Sequence, residues 1–177
     1  MTGDHETLVF DLDGTLVRLV VDWDAVARDV AETLRERGVA PPEDLWGMLR
    51  TADEAGFREP VERVISEFER AGARDSERLP AADTVPDRST GVCSLNCEDA
   101  CRIALDVHDI GGIDAVVGRD TVATEKPDPQ PLLETVRRLE GDPAETLFVG
   151  DSDRDRVTAE RAGTGYVDVS EWLRAYA

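Results

Sequence analysis

Five apolar runs of strand length, each bounded by turn residues, punctuate the chain at residues 8–10, 91–93, 115–117, 147–149 and 166–169. Several of the segments between them carry helical spacing. Strands alternating with helices predict an α/β protein, a doubly wound parallel sheet with helices on both faces and ligands received at the carboxyl ends of the strands. A chain of 177 residues suffices for one such core and a modest insertion.

Residues 19–79 interrupt the alternation, with helical patterns and no expected strand. Asp22 or Asp24 can cap a helix that runs to Arg37 and stops at Gly38. Pro41-Pro42-Glu43-Asp44 opens a second helix that Gly56 closes, and a third follows Pro60. In the third, Val61, Val64, Ile65 and Phe68 recur at i, i+3, i+4 and i+7, so Glu62, Arg63, Glu67 and Glu69 are expected to face elsewhere. The stretch reads as a small helical module inserted after the first strand. Residues 73–90, rich in Asp, Arg, Pro and Ala, return the chain to the sheet.

Chemistry concentrates where the apolar runs end. Leu8-Val9-Phe10 leads into Asp11 and Asp13, two carboxylates two positions apart, and then Gly14-Thr15. Anions held this close repel, so such a junction supplies a cation or splits their protonation states. Leu147-Phe148-Val149-Gly150 leads in the same way into Asp151, Asp153 and Asp155, of which Asp153 also reads as part of a solvated acidic loop. Carboxylates from two neighbouring strand ends suffice for a hard cation such as Mg2+, which prefers oxygen ligands and retains several waters. Ser94 follows the run at 91–93, and Lys126 stands before Pro127. A hydroxyl and an ammonium can both hold a phosphate.

Lys126 is the only lysine, the other 19 basic residues being arginine. A compact point charge at one place implies a task that a planar guanidinium cannot perform. Against the 20 basic residues stand 39 Asp and Glu, giving a net charge of −19. Such a surface repels nucleic acid backbones and anionic membranes, so neither is an expected partner. Dense carboxylate with almost no lysine is the pattern of haloarchaeal cytoplasmic proteins; an acidic protein from a GC-rich genome is the plainer alternative. No stretch approaches the ~20 apolar residues needed to span a bilayer, and Met1 to Glu6 lacks a basic-then-apolar signal pattern, so the chain is read as cytoplasmic. Cys93, Cys97 and Cys101 form no secreted disulfide framework and only a weak zinc pattern, and are expected to be small buried hydrophobes. His5 and His108 are expected to be structural or solvated, and Trp23, Trp46 and Trp172 to be packing anchors.

In their order, four segments resemble the four motifs of the haloacid dehalogenase superfamily, in particular its phosphoglycolate-phosphatase-like members. Asp11-Leu12-Asp13-Gly14-Thr15 matches D-x-D-G-T, Ser94 the Ser/Thr motif, Lys126-Pro127 the lysine motif, and Gly150-Asp151-Ser152-Asp153-Arg154-Asp155 matches G-D-x-x-x-D. The likeness covers residues 7–15 and 91–169, with the helical module at the place of the family's α-helical cap. It implies a Rossmann-like core of residues 1–18 and 80–177 and a cap of residues 19–79. Two departures stand out: Leu95 intervenes between Ser94 and Asn96, where the family commonly has Asn next to the serine, and residues 81–90 hold no long helix before the second strand.

The resemblance further implies a Mg2+-dependent phosphatase acting on a small phosphorylated metabolite. Asp11 would attack phosphorus to form an aspartyl phosphate; Asp13 would protonate the leaving group and then activate water. Ser94 and Lys126 would hold the phosphoryl group. Mg2+ would be bound by Asp11, the backbone carbonyl of Asp13 and Asp151, with Asp155 supporting directly or through water. Within the superfamily, phosphonatases need a cap lysine and dehalogenases lack the second aspartate, so neither fits. A sugar phosphomutase is an alternative, although the cap has neither His nor Lys. A non-hydrolytic phosphate-binding or phosphoacceptor signalling module is the alternative of another class.

Overall fold

The computed structural model describes residues 5–176. Residues 1–4, on which most of the signal-peptide reading falls, and residue 177 lie outside them. Five parallel strands form one sheet in the order β5-β4-β1-β6-β7. They are β1 (Thr7–Phe10), β4 (Thr90–Cys93), β5 (Ala115–Val117), β6 (Thr146–Gly150) and β7 (Gly165–Asp168). Each coincides with one of the five apolar runs to within a residue or so at either end. The reason is physical: strands covered on both faces carry continuous apolar sequence instead of alternation.

The central strand β1 pairs with β4 (Leu8 opposite Thr90) and with β6 (Leu8 opposite Leu147). Leu8 and Phe10 point into one apolar layer, filled by Ala100, Cys101 and Ala104 of α4 (Glu98–Val107) and by Trp172 of α7 (Val169–Tyr176). Val9 points into the other, against Leu132 and Val136 of α5 (Gln130–Arg138) and Ala159 of α6 (Asp153–Ala162). The sheet is therefore wound on both faces, and its central strand ends at the middle of the carboxyl edge. Trp172 meets Phe10 edge to face at 5.5 Å and donates its indole N–H to Thr84 at 2.7 Å, a packing anchor as expected. The three cysteines are buried, and burial pushes Cys93 up to about 12 and Cys97 up to about 11, so they pack as neutral thiols. His108 bonds Ser76 at 2.9 Å.

Between β1 and β4 lie three helices, α1 (Trp23–Arg35), α2 (Leu45–Glu54) and α3 (Arg58–Arg74). Asp22 caps α1 by accepting from the Ala25 amide, and Asp44 caps α2 by accepting from Gly47 at 2.7 Å. The third helix starts at Arg58, so that Pro60 falls in its first turn, where no intrahelical N–H bond is needed. Val26, Val30, Leu34, Met48, Leu49, Val61 and Ile65 form an apolar cluster of their own.

Two expectations are corrected here. Residues 19–79 do contain a strand, β3 (Glu77–Arg78), which pairs antiparallel with β2 (Val17–Arg18) just before the stretch, a two-residue ladder at the neck of the helical segment. A pairing so short leaves no periodic signal. The second correction is Glu69, which does not face away from the apolar side of α3 but is fully buried. Glu62 is likewise engaged, bonded to Arg119 in the loop after β5.

Candidate active site

The carboxyl edge of the sheet gathers the residues singled out above. Asp11 leaves β1, Ser94 leaves β4 and Asp151 leaves β6, while Asp155 sits in the first turn of α6 and Lys126 in the loop between β5 and α5. Two glycines make the approach possible. Gly14 has φ +87°, and a Cβ on it would collide with the Asp151 carboxylate. A Cβ on Gly150 would lie 2.6 Å from the Asp155 side chain.

Lys126 is buried at the centre. Its Nζ donates to Asp155 Oδ1 at 2.6 Å, to Asp11 Oδ1 at 2.9 Å and to the Cys93 carbonyl at 3.2 Å. The second Asp155 oxygen accepts from Ser152 Oγ at 2.9 Å and from the Asp151 amide at 3.3 Å, so that carboxylate is held from both sides. Asp11 Oδ2 accepts from the Thr15 hydroxyl at a long 3.5 Å, and the Asp151 carboxyl also bonds to the Asp11 side chain. The carboxylate of Asp13 turns toward the helical segment, where Oδ1 accepts from the Leu19 amide at 2.9 Å. Oxygens of Asp11, Asp151 and Asp155 all lie within 4.8 Å of one another.

One ammonium cannot neutralise the three carboxylates around it, of which Asp11 and Asp155 are buried and Asp151 is exposed. Burial, with Asp155 and Asp151 adding their repulsion against the attraction of Lys126, pushes Asp11 up to about 8. Burial also raises Asp13 and Asp151. It works against the charged form of Lys126 as well, but Asp11 and Asp155 outweigh it and raise that pKa. The surplus of negative charge is thus expressed at Asp11.

A cavity of about 240 Å³ opens over the cluster, lined by Asp11, Asp13 and Asp151 from the sheet side and by Trp23 and Trp46 from the helical side. Trp46, Leu95 and Lys126 also border a neighbouring cavity of about 500 Å³ that takes in Arg50, Arg58 and Arg154. Trp23 is therefore an exposed cavity wall rather than a core anchor, whereas Trp46 walls the cavities and also packs against the apolar cluster of the helical segment. Asp153 is exposed and paired with Arg156 at 2.6 Å, in keeping with a solvated loop.

Ser94 is placed beside the cluster with its hydroxyl turned to Asn96. Its Oγ accepts from the Asn96 amide and donates to Asn96 Oδ1, both at 3.0 Å. Leu95 and Asn96, not Ser94, border the cavity. Asn96, Glu69 and Arg119 were not singled out from sequence. For Glu69 a signal existed, since it follows Val61 and Ile65 at i+8 and i+4 on the buried stripe of α3.

A model of the haloacid dehalogenase-like hydrolases matches residues 87–169. The phosphoglycolate phosphatase of Aquifex aeolicus is 30% identical over 94% of this chain and 88% of its own length. That of Mesorhizobium japonicum is 32% identical over 92% of this chain and 81% of its own length. Among solved structures, a haloacid dehalogenase superfamily hydrolase from Geobacter sulfurreducens superposes with a TM-score of 0.63 at 24% identity, covering 92% of this chain and 88% of that one.

Proposed function

The chain belongs to the haloacid dehalogenase-like hydrolases and is a phosphatase of that family, and from this premise we propose that it hydrolyses a small phosphate monoester through an aspartyl phosphate on Asp11. The observation that carries the reading is the placement of Asp11: its Oδ1 is fixed by Lys126 at 2.9 Å, its Oδ2 is held by the Thr15 hydroxyl only at 3.5 Å, and the side chain borders the cavity. A nucleophile needs one oxygen held and the other open.

In the first step Asp11 Oδ2 bonds to phosphorus as the bond to the leaving oxygen breaks, and Asp13 gives that oxygen a proton. In the second, Asp13 takes a proton from water as the water oxygen bonds to phosphorus and the acyl phosphate bond breaks, which restores Asp11. Burial raises Asp13, which suits a group that must begin protonated. Lys126 and Ser94 are assigned to the phosphoryl oxygens. Asp11, Asp151 and Asp155 supply an all-oxygen donor set suited to Mg2+, with the Asp13 carbonyl assigned by family resemblance. Bound Mg2+ would offset charge on the phosphoryl group and lower the repulsion between that group and the aspartates.

Phosphoglycolate is the first substrate to try. It is the substrate for which the two relatives are named, and its carboxylate has counterparts in Arg50 and Arg154, which border the adjoining cavity and make no ion pair among the described residues. We read residues 19–79 as a cap that closes the site from water, and residues 1–18 and 80–177 as the core; the separate apolar cluster and the β2–β3 neck support that division. The chain is also read as cytoplasmic and adapted to concentrated salt, as in a halophilic archaeon, because its net charge is −19 and its one lysine is buried, leaving arginine as the surface cation. Release of inorganic phosphate from a panel of monoesters in high KCl, with Mg2+ or with EDTA, tests the reading. Metal-dependent turnover is expected, and release from no member of the panel would overturn it.

A further inference from the structure

Among the described residues, five charged side chains are buried, and three of them, Asp11, Lys126 and Asp155, form the cluster at the strand ends. The other two, Glu69 and Arg119, form a second centre between α3 and the loops that follow β4 and β5. Arg119 grips Glu69 with both arms of its guanidinium, Nη1 to Oε1 at 2.6 Å and Nη2 to Oε2 at 3.0 Å. The same guanidinium donates to Glu62 through Nε at 2.7 Å and to the Leu95 carbonyl at 2.8 Å. A forked pair of this kind fixes direction as well as distance.

Glu69 has capacity left over, and all of it is spent on the loop after β4. Its Oε2 accepts from the Cys97 amide at 3.0 Å, and its Oε1 accepts from Asn96 Nδ2 at 3.3 Å. The second contact decides how the Asn96 amide lies. A carboxylate can only accept, so Asn96 must turn its NH2 toward Glu69 and its Oδ1 the other way. That Oδ1 is the atom to which the Ser94 hydroxyl donates.

We infer that Glu69, held by Arg119, is a positioning residue for Ser94: through Asn96 it fixes the turn after β4 and holds the Ser94 hydroxyl beside the cavity, from where its proton turns from Asn96 Oδ1 to the phosphoryl group when substrate binds. The inference rests on the phosphatase reading and on the role given there to Ser94. Its consequence is that the seating of α3, part of the inserted segment, sets a group at the edge of the sheet. A plain structural staple between α3 and the core would affect stability and leave the contribution of Ser94 unchanged.

The test is a double-mutant cycle read in kcat and KM for p-nitrophenyl phosphate, with folding followed by near-UV circular dichroism. Glu69→Gln keeps the shape but replaces an accepting oxygen with a donor, and Ser94→Ala removes the hydroxyl. Glu69→Gln is expected to lower kcat by about tenfold or more with KM little changed, since misplacing a group that acts in the transition state costs rate. In the Ser94→Ala background the same change should cost less than about twofold. Because Glu69→Gln leaves Arg119 buried with less compensation, Asn96→Ala serves as a second variant that keeps the Glu69–Arg119 pair and breaks the link to Ser94. It should show the same coupling, and it decides the matter if Glu69→Gln does not fold. Losses that multiply, for the variant that folds, would overturn the positioning role alone. A wild-type protein inert on every monoester would overturn it together with the phosphatase reading.

Discussion

Lys126, the only lysine of the chain, lies with its Nζ 2.9 Å from Asp11 Oδ1, buried where solvent cannot screen the pair. The same ammonium reaches Asp155 and the Cys93 carbonyl, so without substrate its three donors point in three directions. A guanidinium has the wrong shape for this: it is planar and wider, and cannot point at three acceptors around one nitrogen. Lys126→Arg is expected to reduce kcat/KM by about 100-fold or more. Lys126→Met should in addition destabilise the fold by about 3 kcal/mol, because it strips buried carboxylates of their counter-charge. Steady-state kinetics and chemical denaturation check the two parts, and a fully active Lys126→Arg would show that the position needs only a positive charge.

Asp13 is held by the Leu19 amide, away from Lys126, and burial favours its protonated form. Asp13→Asn therefore removes the proton donor while leaving Asp11 able to attack. Its loss of kcat should be about 100-fold or more for phosphoglycolate and much smaller for p-nitrophenyl phosphate, whose leaving oxygen needs little protonation. Equal losses on the two substrates would remove the acid role.

The strands were legible because a sheet covered on both faces writes itself as short uninterrupted apolar runs, and the carboxylates at 11, 13, 151 and 155 stand immediately beyond two of them. The meeting of Glu69 with Arg119 was not, since nothing in either segment states which loop α3 will cover. Its one trace was the register of Glu69 with Val61 and Ile65, a charged residue on an apolar stripe. Ser94 was found by its position after a strand, but the turn of its hydroxyl toward Asn96 depends on the extra residue Leu95 and on Glu69 beyond it. The walls formed by Trp23 and Trp46 required knowing how the helical segment sits over the sheet.

A pH dependence follows from Asp11, whose pKa is pushed up to about 8 by burial and by Asp155 and Asp151. An unfolded chain has lost its proton there well below pH 8, whereas the folded chain keeps it to about pH 8. The folded state therefore binds more protons in between, and raising the pH through that window costs stability; Asp13 and Asp151, also raised, act in the same sense. With EDTA present, the melting temperature should fall between about pH 5 and pH 8. Added Mg2+ should restore more at the upper end, where cation and proton no longer compete for the carboxylate. A melting temperature in EDTA that rises across this window would contradict the charge balance assigned to the cluster.

With a net charge of −19, the chain repels itself at low ionic strength. Its melting temperature should rise by several degrees between about 0.1 M and 3 M KCl, with activity following. Thermal denaturation across that series checks this, and an unchanged melting temperature would remove the adaptation to salt.

The most direct test is to quench the enzyme in acid during turnover with Mg2+ and measure the mass of the peptide that carries Asp11, in the wild type and in Asp11→Asn. The amide is nearly isosteric with the carboxylate but a poor nucleophile, so the variant should fold and its turnover should vanish. A phosphoryl group is expected on Asp11 in the wild type and none on the variant peptide. Turnover like the wild type's in Asp11→Asn, with the metal bound, would contradict the covalent mechanism and leave Asp11 as a metal ligand at most.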